Sequence, residues 1–205
     1  MGLSSEKLRE GLDAIAAIEP RMREAVARAG YPEPRLRDRG YATLLRTIVG
    51  QQVSVKAADA IWKKVDAAVG GISDPLRLLA LDDDALRAAG LSRQKASYGR
   101  SLAGLVVGGD LDFAALPQDD EEAITLLTRV NGIGRWSAEV YLLFAEGRAD
   151  IWPAGDLAVQ IETGRVMGLD GKPSEKQTRE IAEKWRPHRG AAAVFMWHHY
   201  VTEVI

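Results

Sequence analysis

The chain has 205 residues, 46% of them hydrophobic and 27% charged, enough to bury a sizeable core in one globular unit and outside the disordered and fibrous classes. With no cysteine it has no disulfide, thiolate zinc site or iron–sulfur cluster. No apolar run approaches a bilayer span, residues 1–19 lack the apolar centre of a signal peptide, and a net charge of −2 argues against a protein that coats nucleic acid non-specifically.

Lys7, Leu8, Leu12, Ile15 and Ile18 follow Ser5 at helical spacing, and Pro20 opens a second helix that Gly30 stops. Tyr31-Pro32-Glu33-Pro34 is a connector. Residues 41–49 and 55–69 read as two buried helices broken at Gly50-Gln51-Gln52-Val53, with Ser54 capping the second and Gly70-Gly71 ending the pair. Asp74-Pro75 and Asp82 each start a short helix, the latter closed by Gly90, and Ser92 caps a helix through Val107. Ala123, Ile124, Leu126, Leu127 and Val130 then repeat at helical spacing. Ala138, Tyr141, Leu142 and Ala145 do the same, so two helices meet across Asn131-Gly132-Ile133-Gly134. Three more helices are expected over 157–167, 175–185 and 190–204. No stretch alternates with period two, and the reading is all-α, without repeats or low-complexity linkers.

Basic residues gather at Arg35, Arg37 and Arg39, at Arg93, Lys95 and Arg100, and at Lys184, Arg186 and Arg189; the acids of 82–84 and 119–122 sit at helix N-termini, where the macrodipole accounts for them. Gly132 and Gly134 flank one apolar residue, which fits positive φ on both sides with Ile133 plugging the hairpin from inside. The amides that begin the next helix then form an anion site for one phosphate oxygen. Taken alone, such a turn is an ordinary helix–helix connection. Asp156, delivered by Ile151-Trp152-Pro153-Ala154-Gly155, reads locally as the N-cap of the helix that follows. His188, His198 and His199 have no carboxylate or third ligand at helical spacing, so no metal site is expected.

The hairpin, the loop with Pro153 and Gly155, and the aspartate together resemble the helix–hairpin–helix (HhH-GPD) DNA glycosylase superfamily. Four blocks are similar to its 3-methyladenine glycosylase II (AlkA-type) branch: 44–64 with Gly50-Gln51-Gln52; Gly90-Leu91-Ser92-Arg93-Gln94-Lys95-Ala96; Gly132-Ile133-Gly134-Arg135-Trp136-Ser137-Ala138; and Trp185-Arg186-Pro187-His188-Arg189. The resemblance implies a two-lobed helical fold with the active site in the inter-lobe cleft. One lobe is expected to span about 48–147 with the hairpin and the other 1–47 plus 148–205, with no N-terminal β domain expected. The implied activity is hydrolysis of the N-glycosidic bond of alkylated bases, of the 3-methyladenine and 7-methylguanine type, in base excision repair. The implied partner is double-stranded DNA, and the protein a bacterial monomer, cytoplasmic and nucleoid-associated.

Carried over residue by residue, the resemblance makes Asp156 the catalytic carboxylate, placed against positive charge that grows on the sugar as the base leaves. Trp136 matches the family's pocket tryptophan by position and becomes a wall for a flipped, cationic base, with Tyr141 and Trp197 as further candidates by proximity to the motifs. Gly132, Ile133, Gly134, Arg135, Trp136 and Ser137 become the phosphate-binding hairpin. The gap left by flipping is filled from Leu91, Ser92, Arg93 and Gln94, with Arg93 or Leu91 as plug; Gln51 and Gln52 face the minor groove or satisfy buried backbone. No cofactor is implied beyond room for a monovalent cation at the hairpin carbonyls. Members that cut the strand carry a lysine two residues after the second hairpin glycine; here that position is Trp136, so no lyase activity is expected. Two other readings stay open: a glycosylase for deaminated purine or uracil, and a non-catalytic hairpin module that binds DNA.

Overall fold

Capping side chains set where the helices begin. In the computed structural model, which describes residues 2–203, α1 (Ser5–Ile18) is capped by Ser4, whose Oγ accepts from the Lys7 amide, so Ser5 is already helical. α2 (Pro20–Ala29) starts on proline and stops at Gly30. α3 (Tyr41–Gly50) and α4 (Val55–Val69, capped by Ser54) follow, then α5 (Pro75–Ala80, capped by Asp74) and α6 (Asp83–Ala88, capped by Asp82). α7 (Arg93–Val107, capped by Ser92), α8 (Asp120–Leu127, capped by Asp119) and α9 (Arg135–Tyr141) complete one compact unit, Asp38–Tyr141.

The chain leaves that unit through a π-helical turn, Leu142–Glu146, which continues α9 where the sequence shows only helical spacing. α10 (Leu157–Val166), α11 (Glu175–Ala182) with a 3₁₀ turn at Glu183–Trp185, and α12 (Arg189–Glu203) join α1 and α2 in the other unit, Met1–Arg37 with Leu142–Ile205. These divisions fall earlier in the chain than the 48 and 147 expected from the sequence. Val204, where the last helix is expected to end, lies outside the described residues. No strand occurs among the described residues, and the fold is all-α. No described helix is long and apolar enough to cross a membrane.

Within the unit that carries the hairpin, Leu44, Leu45, Ile48 and Val49 of α3 are buried, and α3 and α5 both pack on α7, where Gly99 lies against Leu45 and Leu78. The expectation that α4 is a buried helix is corrected: only its Val65 and Val69 are buried, and Val55 at its start is exposed. In the other unit, Ala191, Ala192 and Ala193 are buried on α12; side chains this small let α1 and α10 pack closely against it.

Candidate active site

The hairpin is held from one side. Ile133 is buried as expected, and its amide donates to Val130 O at 3.0 Å to close the turn. Ser101 Oγ on α7 accepts from the Asn131 amide (3.0 Å), and Gln51 Nε2 donates to Gly132 O (2.8 Å). A Cβ on Gly132 would fall 2.1 Å from the Tyr98 ring, so α7 packs an aromatic face directly on that glycine. Gln94 Nε2 in turn donates to Tyr98 Oη (2.6 Å), and Lys95 Nζ donates to Val49 O at the end of α3 (2.7 Å), a partial burial that pulls the lysine's pKa down.

The expectation of positive φ at both glycines is half corrected. Gly132 has φ +81°, whereas Gly134 lies outside the left-handed region and a Cβ there would meet nothing within 4 Å. No described residue crowds position 134, which is exposed. The amides of Gly134 and Arg135 stand ahead of the first α9 bond, Ala138 N to Gly134 O at 3.1 Å. Arg135's guanidinium does not reach outward with them. It donates Nη1 and Nη2 to Glu121 (2.8 and 2.5 Å) and Nε to buried Glu139 (2.9 Å), and the Glu121 bond raises its pKa against the opposing effect of burial, with Glu139 adding. Arg135 therefore braces α8 to α9 through its guanidinium. Ser137 is buried.

Of the pocket candidates, Trp136 is 47% exposed at the start of α9, consistent with Ser137, Ala138, Val140 and Tyr141 supplying that helix's inner face. Tyr141 is corrected. At 2% exposure, its hydroxyl accepting from the Gly40 amide (2.8 Å) and its ring against Phe113 (5.5 Å between centroids), it belongs to the core and offers a base no face. Leu91 is corrected likewise, being 4% exposed and part of the core. Ser92 caps α7 through Lys95 N (3.2 Å), and exposed Arg93 lines a pocket with Asp83, Asp84, Arg87 and Ala96, where two aspartates stand beside the two arginines. Gln52, by contrast, is an exposed non-glycine residue with φ +54°, next to the glutamine that grips the hairpin.

In the other unit the loop before Asp156 is fixed at several points. Trp152 Nε1 donates to Thr178 O (3.1 Å), and the Trp152 ring meets Trp185 edge-on at 5.5 Å. Gln160 Nε2 donates to Ala154 O (2.7 Å), and the Asp156 amide to Pro153 O (2.9 Å). Asp156 Oδ1 accepts from the Val159 amide (3.0 Å) and from Trp197 Nε1 (3.1 Å). The N-cap reading of Asp156 is thus structurally true, and the indole fixes the same carboxylate from a second direction. Trp197, half-buried, tilts against the Phe144 ring at 5.4 Å. Phe144 and Tyr98 are missed by sequence reading, because each is placed by a tertiary contact and neither stands in a motif.

Behind this loop Arg189 donates Nε and Nη2 to the two oxygens of Asp150 (2.9 and 2.8 Å) and Nη1 to Glu183 (2.9 Å), while Arg186 joins the same two acids. Arg189 is buried, so its removal leaves Asp150 with one half-exposed partner. Arg189→Ala should therefore lose about 3 kcal/mol in urea unfolding. A loss under about 1 kcal/mol, the scale of a solvent-exposed pair, contradicts that role.

Residues 45–188 match the model of the HhH-GPD superfamily of base excision DNA repair proteins, and the chain belongs to that superfamily. A DNA-3-methyladenine glycosidase from Bacillus halodurans has a similar structure, with TM-score 0.85 and 32% identity over 95% of this chain and 90% of that one. The Schizosaccharomyces pombe 3-methyladenine DNA glycosylase, solved in complex with abasic DNA, gives TM-score 0.79 and 27% identity over 96% and 97%. A putative DNA-3-methyladenine glycosylase of Bacillus subtilis is 27% identical over 77% of this chain, and the chain spans 58% of that relative's length.

Proposed function

We propose that this protein hydrolyses the N-glycosidic bond of alkylated bases in duplex DNA, with Asp156 as the catalytic carboxylate. The observation that carries the reading is the double hold on Asp156: a carboxylate fixed by a backbone amide and an indole N–H is preorganised to stabilise positive charge on a departing deoxyribose without reorganising during the reaction. Similarity to 3-methyladenine glycosylases supports the substrate class. Such bases already carry the charge that makes them leave, which suits a site where Asp156 is the only acid assigned. DNA is bound by the Gly134 and Arg135 amides at one phosphate, and the lesion is flipped out of the stack. We assign the filling of the resulting gap to Gln52, whose side chain the left-handed backbone projects from the turn, over Arg93 and the buried Leu91. The protein acts as a monomer in the cytoplasm. Gly132 O already accepts from Gln51, so the hairpin offers a cation a reduced set of lone pairs, and no step is routed through one.

An excision panel tests the lesion class: duplexes with 3-methyladenine, 7-methylguanine, hypoxanthine and uracil should be processed in favour of the first two. Preference for hypoxanthine or uracil would place the activity among glycosylases for deaminated bases. Trp136→Ala should slow cationic lesions by about 10-fold more than neutral ones, the size of a desolvated cation–π contact; equal losses would remove that contact from the pocket. Borohydride reduction during turnover should leave no protein–DNA adduct. Trp136 occupies the lyase lysine's position, and an arginine beside it cannot form a Schiff base. An adduct mapped to Lys95, the lysine with the lowered pKa, overturns the monofunctional assignment.

A further inference from the structure

We propose that the buried pair Glu162–His199 is a positioning device for Asp156, holding the Trp197 indole on the catalytic carboxylate by locking α12 against α10. The inference rests on the reading of Asp156 as catalytic. Glu162 on α10 is fully buried and His199 on α12 is 2% exposed, with Nδ1 and Oε2 2.5 Å apart. The second Glu162 oxygen accepts from Arg165 Nη1 at 2.7 Å. Burying a carboxylate is costly even when it is paired, and an apolar pair of similar volume would serve packing as well or better. The chemistry described so far gives this pair no task.

Its position supplies one. Asp156 caps α10 and Glu162 lies further along the same helix, while Trp197 and His199 are two residues apart on α12. At about 100° per residue, these two side chains leave α12 roughly 200° apart, on opposite flanks. The bonds Trp197 to Asp156 and His199 to Glu162 therefore hold α12 from both sides. Rotation of α12 in either direction stretches one of the two ties, whereas with the first tie alone only the packing of α12 on α1 and α10 and the Phe144 contact steady the indole on the carboxylate. A displacement of about 1 Å at a reacting group is enough to cost around 10²-fold in rate.

The test separates positioning from folding. Replacing both partners by apolar residues, Glu162→Leu with His199→Leu, removes the tie without stranding a buried charge. His199→Gln keeps an N–H donor for Glu162. The readouts are the single-turnover rate on a 7-methylguanine duplex, affinity for an abasic-site duplex, and solvent exchange of the Trp197 indole N–H by NMR, the last independent of activity. The double variant should keep its melting temperature and abasic-DNA affinity, lose roughly 10- to 100-fold in rate, and exchange the Trp197 proton faster. His199→Gln should recover the rate to within about 3-fold, a range the small size of a single hydrogen-bond difference allows. A folded double variant with wild-type rate and a protected Trp197 N–H overturns the proposal, as does an equally slow His199→Gln. If the double variant does not fold, His199→Ala assayed below its melting temperature takes its place, with the same two outcomes. Asp156→Asn run alongside keeps the two readings apart: full activity there sinks the catalytic assignment, whereas loss there with full activity in the pair variants sinks only the positioning role.

Discussion

Asp156→Asn is expected to abolish base release while leaving stability and abasic-DNA binding nearly unchanged. Asparagine keeps an Oδ1 that can accept from the Val159 amide and from Trp197 Nε1, so both fastenings survive and only the negative charge is lost. As an N-cap, asparagine matches aspartate, and the melting temperature should hold to within the equivalent of about 0.5 kcal/mol. As a stabiliser of an oxocarbenium-like transition state it does not, and the single-turnover rate should fall by roughly 10²–10³-fold or more. The loss belongs in the chemical step, since the interaction grows as the base departs. An Asp156→Asn protein with the wild-type rate would leave Asp156 a cap and nothing else.

The two hairpin glycines should respond in opposite ways. Gly132→Ala places a Cβ 2.1 Å from the Tyr98 ring at a φ of +81°. The backbone strain costs about 1–2 kcal/mol and the overpacking about 1–3 kcal/mol, so the melting temperature falls and the Gln51 and Ser101 bonds to the hairpin are disturbed with it. At Gly134 a Cβ would meet no atom within 4 Å and the φ is not left-handed, so Gly134→Val should leave the fold intact. What it crowds is the approach of a phosphate to the Gly134 and Arg135 amides, and affinity for duplex DNA should drop by about 10-fold or more, the scale of one charge-assisted hydrogen bond lost, for every lesion alike. Unchanged affinity in a folded Gly134→Val protein removes the hairpin from the DNA interface, and an unchanged melting temperature in Gly132→Ala contradicts the close packing of Tyr98.

Helix starts were legible because a cap is a local decision: Ser54, Asp74, Asp82 and Ser92 accept from amides two or three residues on, and the residue type announces it. The π-helical turn at 142–146 was not legible, since the apolar spacing of Leu142 and Ala145 suits an α-helix equally well. The same division runs through the site. Asp156 and Gly132 stood in motifs and Trp197 near one, and the structure ties Asp156 to Trp197 and packs Gly132 under Tyr98. Tyr141 and Leu91 misled because their neighbourhood in the sequence is shared with surface residues, while their burial is set by partners far along the chain: Gly40 and Phe113 around Tyr141, and the core around Leu91. Arg135 depends on a distant partner in the same way. The sequence assigns it an amide role and is silent on its guanidinium, and only the fold brings Glu121 to meet that side chain. Gly134 is the reverse case, where the expected backbone conformation is absent and glycine is left without an internal reason.

The most direct test of the whole account is to incubate the purified protein with duplex DNA methylated at purine nitrogens, then identify what is released and what remains. The expected result is free 3-methyladenine and 7-methylguanine in solution, with the DNA strand left intact at abasic sites until alkali cleaves it. Methylated DNA returned with all its bases attached, bound but unprocessed, would contradict the account and leave the hairpin as a binding module alone.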